Sequence, residues 1–163
     1  MTRPPFDPPT EADIAVVSAQ LGRPARNVIG ISARCVCGKP TVVSTSPRLE
    51  DGSPFPTLYY LSHPAATAAI STLEANGVMQ ELALEIDERY VEAHEQYIAD
   101  REGIEFVEEI AGISAGGMPT RVKCLHALAG HALAAGPGVN PIGDRALELC
   151  GWSPTRCECA LEL

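Results

Sequence analysis

Residues 116–144, GGMPTRVKCLHALAGHALAAGPGVNPIGD, constrain the fold more than any other part of the chain. Apolar residues recur at helical spacing in the middle of this stretch, and Gly136 is a natural residue to follow a helix end, so we predict a helix over residues 120–135. Pro119 suits the first turn of that helix, where its missing N–H costs nothing. The loop GPGVNPIGD is too rich in glycine and proline to continue the helix, and we expect Asp144 to cap a last one.

The other periodic stretches predict an α+β fold. Thr10 and Asp13 have the spacing of a near capping box, and residues 78–101 show an amphipathic stripe. The complete set of predicted elements is helices over residues 11–21, 65–76, 78–101, 120–135 and 145–150, and strands over residues 28–35, 41–45 and 58–61. We expect a small antiparallel sheet of about three strands packed with about five helices. We treat residues 1–163 as a single domain, with the Pro-rich residues 1–9 as a loose segment.

Composition and charge exclude several classes of partner. A formal net charge of −9 argues against non-specific binding to nucleic acid or to an anionic membrane. No apolar run approaches the roughly 18 residues of a membrane span, and the N-terminus lacks the apolar core of a signal peptide. We therefore expect a cytoplasmic protein, whose thiols stay reduced. In that compartment six cysteines favour a metal site or redox chemistry over disulfides.

The cysteines suggest a metal site assembled from distant parts of the chain. Cys35 and Cys37 form a C-x-C pair at the end of a predicted strand, where both side chains face the same side. Cys157 and Cys159 form a second C-x-C pair near the C-terminus, and a metal would give that tail a reason to be ordered. His63 follows another strand, on a loop where binding groups often collect, although a histidine before a proline is more often a turn residue.

The predicted central helix limits how many of its polar residues can share one ion. Cys124 and His131 lie on one face but about 10 Å apart along the axis. Cys124 and His126 point to nearly opposite sides of a regular helix, so only Cys124 serves as a ligand there. If the helix begins later than predicted, both could bind from a turn. Arg121 and Lys123, beside free N–H groups after a Gly-Gly pair, form either an anion pocket or a solvated basic pair.

Several segments resemble one protein family. LGRP, RCVCGKPTVV, PFPTLYYLSHP, AHEQY and RVKCLHALAGHALAAGPGVNPIGD are similar to the uncharacterised bacterial family called domain of unknown function 501, found notably in actinobacteria. The resemblance covers nearly the whole chain and implies no established activity. It does imply that other members carry cysteine where this chain has His63. Because zinc tolerates an exchange of cysteine for histidine, the resemblance favours His63 as a ligand and zinc as the metal.

The leading hypothesis is a cytoplasmic zinc-binding protein. Zinc accepts tetrahedral mixtures of cysteine and histidine, whereas an iron–sulfur cluster more usually takes cysteines throughout. The expected ligand set, one from each of four places, is Cys35, His63, Cys124 and one of Cys157 or Cys159. The sequence leaves the roles of Cys37 and Cys150 open.

If the protein is an enzyme, we expect a hydrolase that acts on an anionic or phosphate-bearing substrate. The candidate general bases are His126 and His131. The residues expected to line a polar, anion-binding pocket are Arg121, Lys123, Asn140 and Asp144. One alternative is a non-enzymatic interaction protein with a structural metal site and an acidic helix as its partner surface. Another is a thiol-redox or iron–sulfur protein.

Overall fold

A computed structural model describes residues 6–159 of the 163-residue chain. Within that range the predicted α+β class is confirmed, with six α-helices and one three-stranded sheet. In chain order the elements are α1 (Glu11–Leu21), β1 (Val28–Arg34), β2 (Pro40–Thr45), β3 (Tyr59–Leu61), α2 (Pro64–Ala75), α3 (Val78–Ala83), α4 (Glu88–Glu102), a 3-10 turn (Glu108–Ile110), α5 (Leu125–Ala135) and α6 (Pro141–Leu149).

The antiparallel sheet, in the order β1–β2–β3, separates two apolar clusters. Val42 and Val43 are consecutive on β2 and therefore point to opposite faces. Val43 packs with Ile31 of β1 and Val17 of α1, so α1 covers one face. Val42 belongs to the larger cluster, to which α2 to α6 all contribute buried side chains. The sheet thus lies between α1 and the remaining helices.

Helix α5 occupies the centre of the larger layer because small residues allow close approach. A Cβ on Gly130 of α5 would lie 2.9 Å from the carbonyl oxygen of Tyr59 on β3. A Cβ on Gly143 of α6 would lie 2.2 Å from the carbonyl oxygen of Leu128 on α5. Both distances are shorter than real Cβ contacts. Glycine at these two positions therefore sets how closely α5 approaches β3 and α6.

The start of α1 agrees with the sequence. Thr10 and Asp13 form the predicted capping box, with the Asp13 amide donating to Thr10 Oγ1 at 3.0 Å. Nη1 and Nη2 of Arg34 also donate to the two carboxylate oxygens of Asp13, at 2.9 and 3.0 Å. This paired contact ties α1 to β1. It holds the pKa of Asp13 at about 2, chiefly through the hydrogen bond to Arg34.

The prediction that the central helix begins near residue 120 is wrong. It begins at Leu125, with Cys124 in extended backbone as the N-cap residue. The amides of Lys123 and Cys124 instead donate to the carbonyl of Gly116, which holds the preceding residues as a loop. Pro119 follows a cis peptide bond in that loop and is not in a helical turn.

Two further element boundaries differ from the predictions. The expected helix over residues 78–101 is interrupted between α3 and α4, because the Asp87 side chain accepts from the Arg89 amide and starts a new helix there. The last helix begins at Pro141, earlier than expected. Its N-cap is Asn140, whose side chain accepts from the Gly143 amide, and not Asp144.

Part of the N-terminal segment expected to be loose is held on the sheet. Residues 1–5 lie outside the described residues. Asp7 forms a β-bridge with Ile31, and its carboxylate lies 3.1 Å from Nε of Arg34. Phe6 packs edge-on against Tyr59 at a ring-centroid distance of 6.1 Å. Gly30 accommodates this crossing, since a Cβ there would lie 2.5 Å from Cβ of Phe6.

Among residues 6–159, no helix has both the length and the apolar composition that a membrane crossing requires.

Candidate metal centre and a cysteine–histidine pair

Four cysteine sulfurs converge between the β1–β2 turn and the C-terminal segment. They belong to Cys35, Cys37, Cys157 and Cys159, and all lie within 4.8 Å of one another. The closest pairs are Cys37 with Cys159 at 3.1 Å and Cys157 with Cys159 at 3.5 Å. All four thiols are free. A tetrahedral zinc–thiolate site with Zn–S bonds of about 2.3 Å separates its sulfurs by about 3.8 Å, so the group has the dimensions of such a site.

The turn after β1 aims its two sulfurs inward. The Cys35 amide donates to the Lys39 carbonyl at 2.9 Å, and the Gly38 amide donates to the Cys35 carbonyl at 2.8 Å. Gly38 has φ of 93°, a conformation that favours glycine. Backbone hydrogen bonds also reach the thiols, from Cys37 to Cys35 and from Lys39 to Cys37. N–H groups that point at sulfur stabilise thiolates, which are the form that binds metals.

The C-terminal segment is held to this turn by contacts on both sides of the sulfurs. The Val36 amide donates to the Pro154 carbonyl at 3.2 Å. Lys39 Nζ donates to the Cys159 carbonyl, also at 3.2 Å. Because four thiolates around Zn²⁺ leave two net negative charges, the Lys39 ammonium beside them is favourable. Trp152, just before this segment, is 3% exposed.

The four thiols have different environments. Cys35 and Cys159 are buried, and burial raises the pKa of each. Cys37 and Cys157 are exposed. A hydrogen bond to Cys159 lowers the pKa of Cys37 to about 7. The lowered pKa therefore favours the Cys37 thiolate on the solvent side of the group.

This grouping differs from the ligand set expected from the sequence. It contains Cys35, Cys157 and Cys159 as expected, together with Cys37, but neither His63 nor Cys124. His63 is the N-cap residue of α2, where its Nδ1 accepts from the Ala66 amide at 3.4 Å. Its ring lies 5.5 Å from that of Trp152 and is 1% exposed. Its position before Pro64 is that of a helix cap.

Cys124 belongs to a second group, with Glu74 of α2 and His126 of α5. The Oε2 atom of Glu74 accepts from the Leu125 amide at 2.9 Å and lies 3.2 Å from Nδ1 of His126. The other ring nitrogen of His126 lies 3.1 Å from Oγ of Ser71. The late start of α5 makes this group possible, because Cys124 then lies in a turn and not on a regular helix.

The pKa values of Cys124 and His126 shift in opposite directions. A hydrogen bond to Cys124 raises the pKa of His126, and the same bond lowers the pKa of Cys124. A backbone hydrogen bond from Ala127 at the start of α5 also lowers the pKa of Cys124. Glu74 favours the protonated imidazole. The arrangement favours a thiolate beside an imidazolium.

A surface cavity of about 510 Å³ lies beside Cys124. Its lining includes the Gly-Gly loop, Arg121, Lys123 and, from α4, His94. The loop needs both glycines, which have positive φ: a Cβ on Gly116 would lie 2.6 Å from a Leu128 side-chain carbon, and one on Gly117 would lie 2.7 Å from the Arg121 carbonyl oxygen. The cavity therefore combines a thiol with two exposed cations.

Three other residues expected at a functional site lie elsewhere. His131 is fully buried, stacked on Tyr59 at 5.6 Å, and its Nδ1 lies 3.1 Å from Nδ2 of Asn140. Asn140 is buried at the start of α6, and Asp144 accepts from the Gly138 amide at 2.9 Å. In the described part of the chain, the cavity beside Cys124 is lined by none of these three residues.

Sequence reasoning assigned no role to two residues in these groups. Cys37 was left open because one ligand was expected from each of four places. Using both members of each C-x-C pair would have found it. Glu74 carries no such signal, since it is one of many acidic residues in the helical half of the chain and its position opposite His126 depends on how α2 packs on α5.

Comparison with known proteins gives a family and nothing more specific. A model of the family described as "Protein of unknown function (DUF501)" matches residues 31–148, well over half of the chain. The match includes Cys35, Cys37 and Cys124 and ends before Cys157. Neither the curated proteins nor the solved structures contain a match to this chain.

Proposed function

This chain belongs to the family described as Protein of unknown function (DUF501), and we propose that it is a zinc-binding protein whose metal is held by Cys35, Cys37, Cys157 and Cys159. The observation that carries the proposal is the convergence of the four sulfurs within 4.8 Å. Zinc is the metal that such a set of four cysteines most commonly holds in a small structural site. An iron–sulfur cluster is the competing occupant, since it also takes four cysteines.

The role that fits this site is structural. Four protein ligands leave no open position for a water or a substrate, which is the arrangement of structural zinc sites. The ligands come in pairs from two distant segments, so the ion fastens the C-terminal segment to the β1–β2 turn. A metal centre of four thiolates needs its cysteines reduced, so we propose the cytoplasm, where thiols stay reduced.

Metal analysis of variants tests this ligand set against the one expected from the sequence. We expect about one zinc per chain in the purified protein, lost in Cys157→Ser and Cys37→Ser and retained in Cys124→Ser and His63→Asn. Replacing zinc by Co²⁺ should give the visible absorption of a tetrahedral thiolate site. Retention of zinc in Cys37→Ser together with its loss in Cys124→Ser would refute the four-cysteine centre. Iron and visible absorption in the purified protein would mean that the four cysteines hold an iron–sulfur cluster and not zinc.

A second function, hydrolysis of an anionic or phosphate-bearing ligand, is favoured by the cavity beside Cys124. Arg121 and Lys123 both line it, near the N-terminal end of α5, where the helix dipole also favours an anion. His126 lies on the far side of Cys124 and is the better placed of the two histidines to act as a base, since His131 is enclosed in the core.

Binding of inorganic phosphate tests the cavity without assuming a reaction. Titration calorimetry should detect phosphate binding to the zinc-loaded protein, weakened at least about tenfold in Arg121→Gln/Lys123→Gln. These side chains are exposed, so their loss should not disturb the fold. Arg23→Gln/Arg26→Gln, which removes two charges elsewhere, is the matched control. Equal weakening in both double variants would show that net charge, and not this cavity, governs binding.

A further inference from the structure

We propose that Cys124 is a catalytic nucleophile, activated by His126 and Glu74, that hydrolyses esters or thioesters carrying a phosphate or carboxylate group. The inference rests on the anion-binding cavity proposed above and is independent of the four-cysteine metal centre. It assigns the chemistry to a thiol, while the metal centre keeps its structural role.

Cys124, His126 and Glu74 lie together at the start of α5. A nucleophilic thiol needs a base within hydrogen-bond reach and a third group that orients the base. The Cys124 sulfur, a ring nitrogen of His126 and a carboxylate oxygen of Glu74 lie within 4.8 Å of one another. A hydrogen bond between Cys124 and His126 is the largest cause of the pKa shift of each. Nδ1 of His126 lies 3.2 Å from Oε2 of Glu74, and that same oxygen is fixed by the Leu125 amide at 2.9 Å. The carboxylate is therefore anchored to the start of the helix that carries both reacting residues.

Both ring nitrogens of His126 have polar partners. Nε2 of His126 lies 3.3 Å from the carbonyl oxygen of Thr67, which can only accept a hydrogen bond. The other ring nitrogen faces the Glu74 carboxylate, which is also an acceptor. Nε2 also lies 3.1 Å from Oγ of Ser71, a hydroxyl that can donate or accept, so the contacts of the ring fit either protonation state. The charge of Glu74 favours the protonated one. An imidazolium beside a cysteine stabilises the thiolate, and this agrees with the lowered pKa of Cys124.

The Cys124 thiol faces a cavity that also carries two cationic side chains. Cys124 is half-buried and lines the cavity, whereas His126 and Glu74 lie behind it. The charged or titratable groups around the thiol are Glu74 from α2, His126 from α5, His94 from α4, and Arg121 and Lys123 from the Gly-Gly loop. Arg121 and Lys123 suit an anionic group on the substrate. In a chain with a formal net charge of −9, a cationic patch beside a thiol attracts anionic substrates to that thiol and not to the rest of the surface.

The reaction conserves protons and electrons without a further reactant. The Cys124 thiolate attacks the carbonyl carbon of the substrate, forming an S–C bond. The bond from that carbon to the leaving oxygen or sulfur breaks, and the leaving group takes the proton of the His126 imidazolium. Water then attacks the acyl-cysteine while neutral His126 accepts a proton from it. Release of the carboxylic acid restores the thiolate and the imidazolium.

Competition between a neutral and an anionic alkylating agent tests the thiol and the cavity separately. The zinc-loaded protein would be treated with iodoacetamide or iodoacetate, and adducts would be located by peptide mass mapping. We expect Cys124 to react with iodoacetamide at pH 7 at least about tenfold faster than glutathione does. The ratio of the Cys124 rate to the glutathione rate should be higher with iodoacetate than with iodoacetamide. Arg121→Gln/Lys123→Gln should remove this difference between the two reagents and leave the reaction with iodoacetamide unchanged.

Variants of the activating pair give the pH signature. The apparent pKa of Cys124 alkylation should rise in His126→Asn and in Glu74→Gln, whereas Cys150→Ser should leave it unchanged. Glu74→Gln keeps an acceptor for the Leu125 amide, so it guards against a simple loss of folding. The mono-4-nitrophenyl ester of glutaric acid should acylate Cys124 faster than neutral 4-nitrophenyl butyrate does, with nitrophenolate released.

The contrary results are distinct from one another. Alkylation no faster than that of glutathione, or an unchanged pKa in both variants, would overturn the nucleophile. Fast alkylation only after a chelator removes a second zinc would overturn it in favour of a Glu74–Cys124–His126 metal site. Fast alkylation without any preference for iodoacetate would overturn the anionic substrate class and, with it, the cavity function, while metal content would still report separately on the four-cysteine centre.

Discussion

The sulfur of Cys37 lies 3.1 Å from the sulfur of Cys159, although 122 residues separate them in sequence. The contact joins the turn between the first two strands to the end of the described chain. Holding together residues so far apart has an entropic cost of loop closure, which grows only slowly with length but must be offset by local contacts. The proposed shared ion would offset it directly, because each sulfur would gain a metal bond only in the folded arrangement.

Removal of zinc should release the C-terminal segment, and the fluorescence of the single tryptophan should report that release. Trp152 is 3% exposed and precedes the segment that carries Cys157 and Cys159. A strong chelator should shift Trp152 fluorescence to longer wavelength and lower Tm by at least about 6 °C, which is about 2–3 kcal/mol at this chain length. Readdition of Zn²⁺ should reverse both changes.

Cys124→Ser is the matched control for that experiment. It alters one thiol outside the four-cysteine group, so it should bind zinc and respond to the chelator as the unaltered protein does. Trp152 fluorescence that stays constant through complete zinc removal would show that the ion does not hold this segment.

The ion pair between Asp13 and Arg34 should make stability depend on acid pH. The folded-state pKa of Asp13 is about 2, below its ordinary value of 3.8. The ionised carboxylate is therefore favoured by folding, and its contribution is complete above about pH 5 and lost as pH falls through 2. This lowering of the pKa corresponds to about 2 kcal/mol in the free energy of unfolding at neutral pH. Urea denaturation of Asp13→Asn should show that loss at pH 7 and a much smaller one near pH 2.

Asp7→Asn provides a matched comparison, because Asp7 pairs with the same Arg34 guanidinium at 3.1 Å but has a side chain that is 64% exposed. Exposed pairs contribute little, so the cost should stay below about 0.5 kcal/mol. Equal losses in the two variants would mean that burial does not distinguish the two carboxylates.

Local signals in the sequence predicted the fold better than they predicted the site. The α1 capping box and the three strands follow from short-range patterns, because Thr10, Asp13 and alternating apolar residues act on their immediate neighbours. The break before α4 was missed because Asp87 had to be recognised as a cap inside an amphipathic stripe. The start of α5 was missed because Gly116 accepts hydrogen bonds from residues that otherwise suit a helix.

The site depends on contacts that no single segment contains. Cys157 and Cys159 could be recognised as a pair, but nothing local shows that they meet Cys35 and Cys37. His63 was expected as a ligand because it follows a strand on a loop and because the family resemblance implies cysteine at that position in other members, whereas in the fold it caps α2. Glu74 becomes a partner of His126 only through the packing of α2 on α5. The sequence could therefore suggest that cysteines are candidate ligands, but it could not show which of them lie together.

The crossing of α5 and α6 should not tolerate a single added methyl group at Gly143. Glycine to alanine inside a helix ordinarily gains up to about 1 kcal/mol. At Gly143 the new Cβ would lie 2.2 Å from the Leu128 carbonyl oxygen, so the helices must separate. Overpacking of this kind costs about 1–3 kcal/mol or more, and we expect this cost to exceed the gain in helix propensity.

Gly151→Ala is the control for Gly143→Ala, since no atom lies within 4 Å of the added carbon at Gly151. Thermal denaturation should show a clear fall in Tm for Gly143→Ala and a change of less than about 2 °C for Gly151→Ala. A rise in Tm at Gly143 would mean that helix propensity outweighs the contact and that the two helices can shift apart freely.

His131 should act as a packing residue and not as a general base. Its ring is fully buried, stacks on Tyr59 at an interplanar angle of 5°, and meets Tyr97 edge-on at 5.0 Å. His131→Ala removes these contacts and the hydrogen-bond partner of Asn140, so we expect a loss of about 3 kcal/mol in the free energy of unfolding. His94→Ala, at a half-buried histidine, should cost less.

The readouts that distinguish the two roles are zinc content and alkylation of Cys124, measured below the lowered Tm. Both should be unchanged in His131→Ala, because neither the four cysteines nor the Cys124–His126 pair depends on that ring for a hydrogen bond. A variant with unaltered Tm but no hydrolysis of the anionic nitrophenyl ester would give His131 the role of general base. Such a result would also require a path for the proton through the tyrosine pair that encloses the ring.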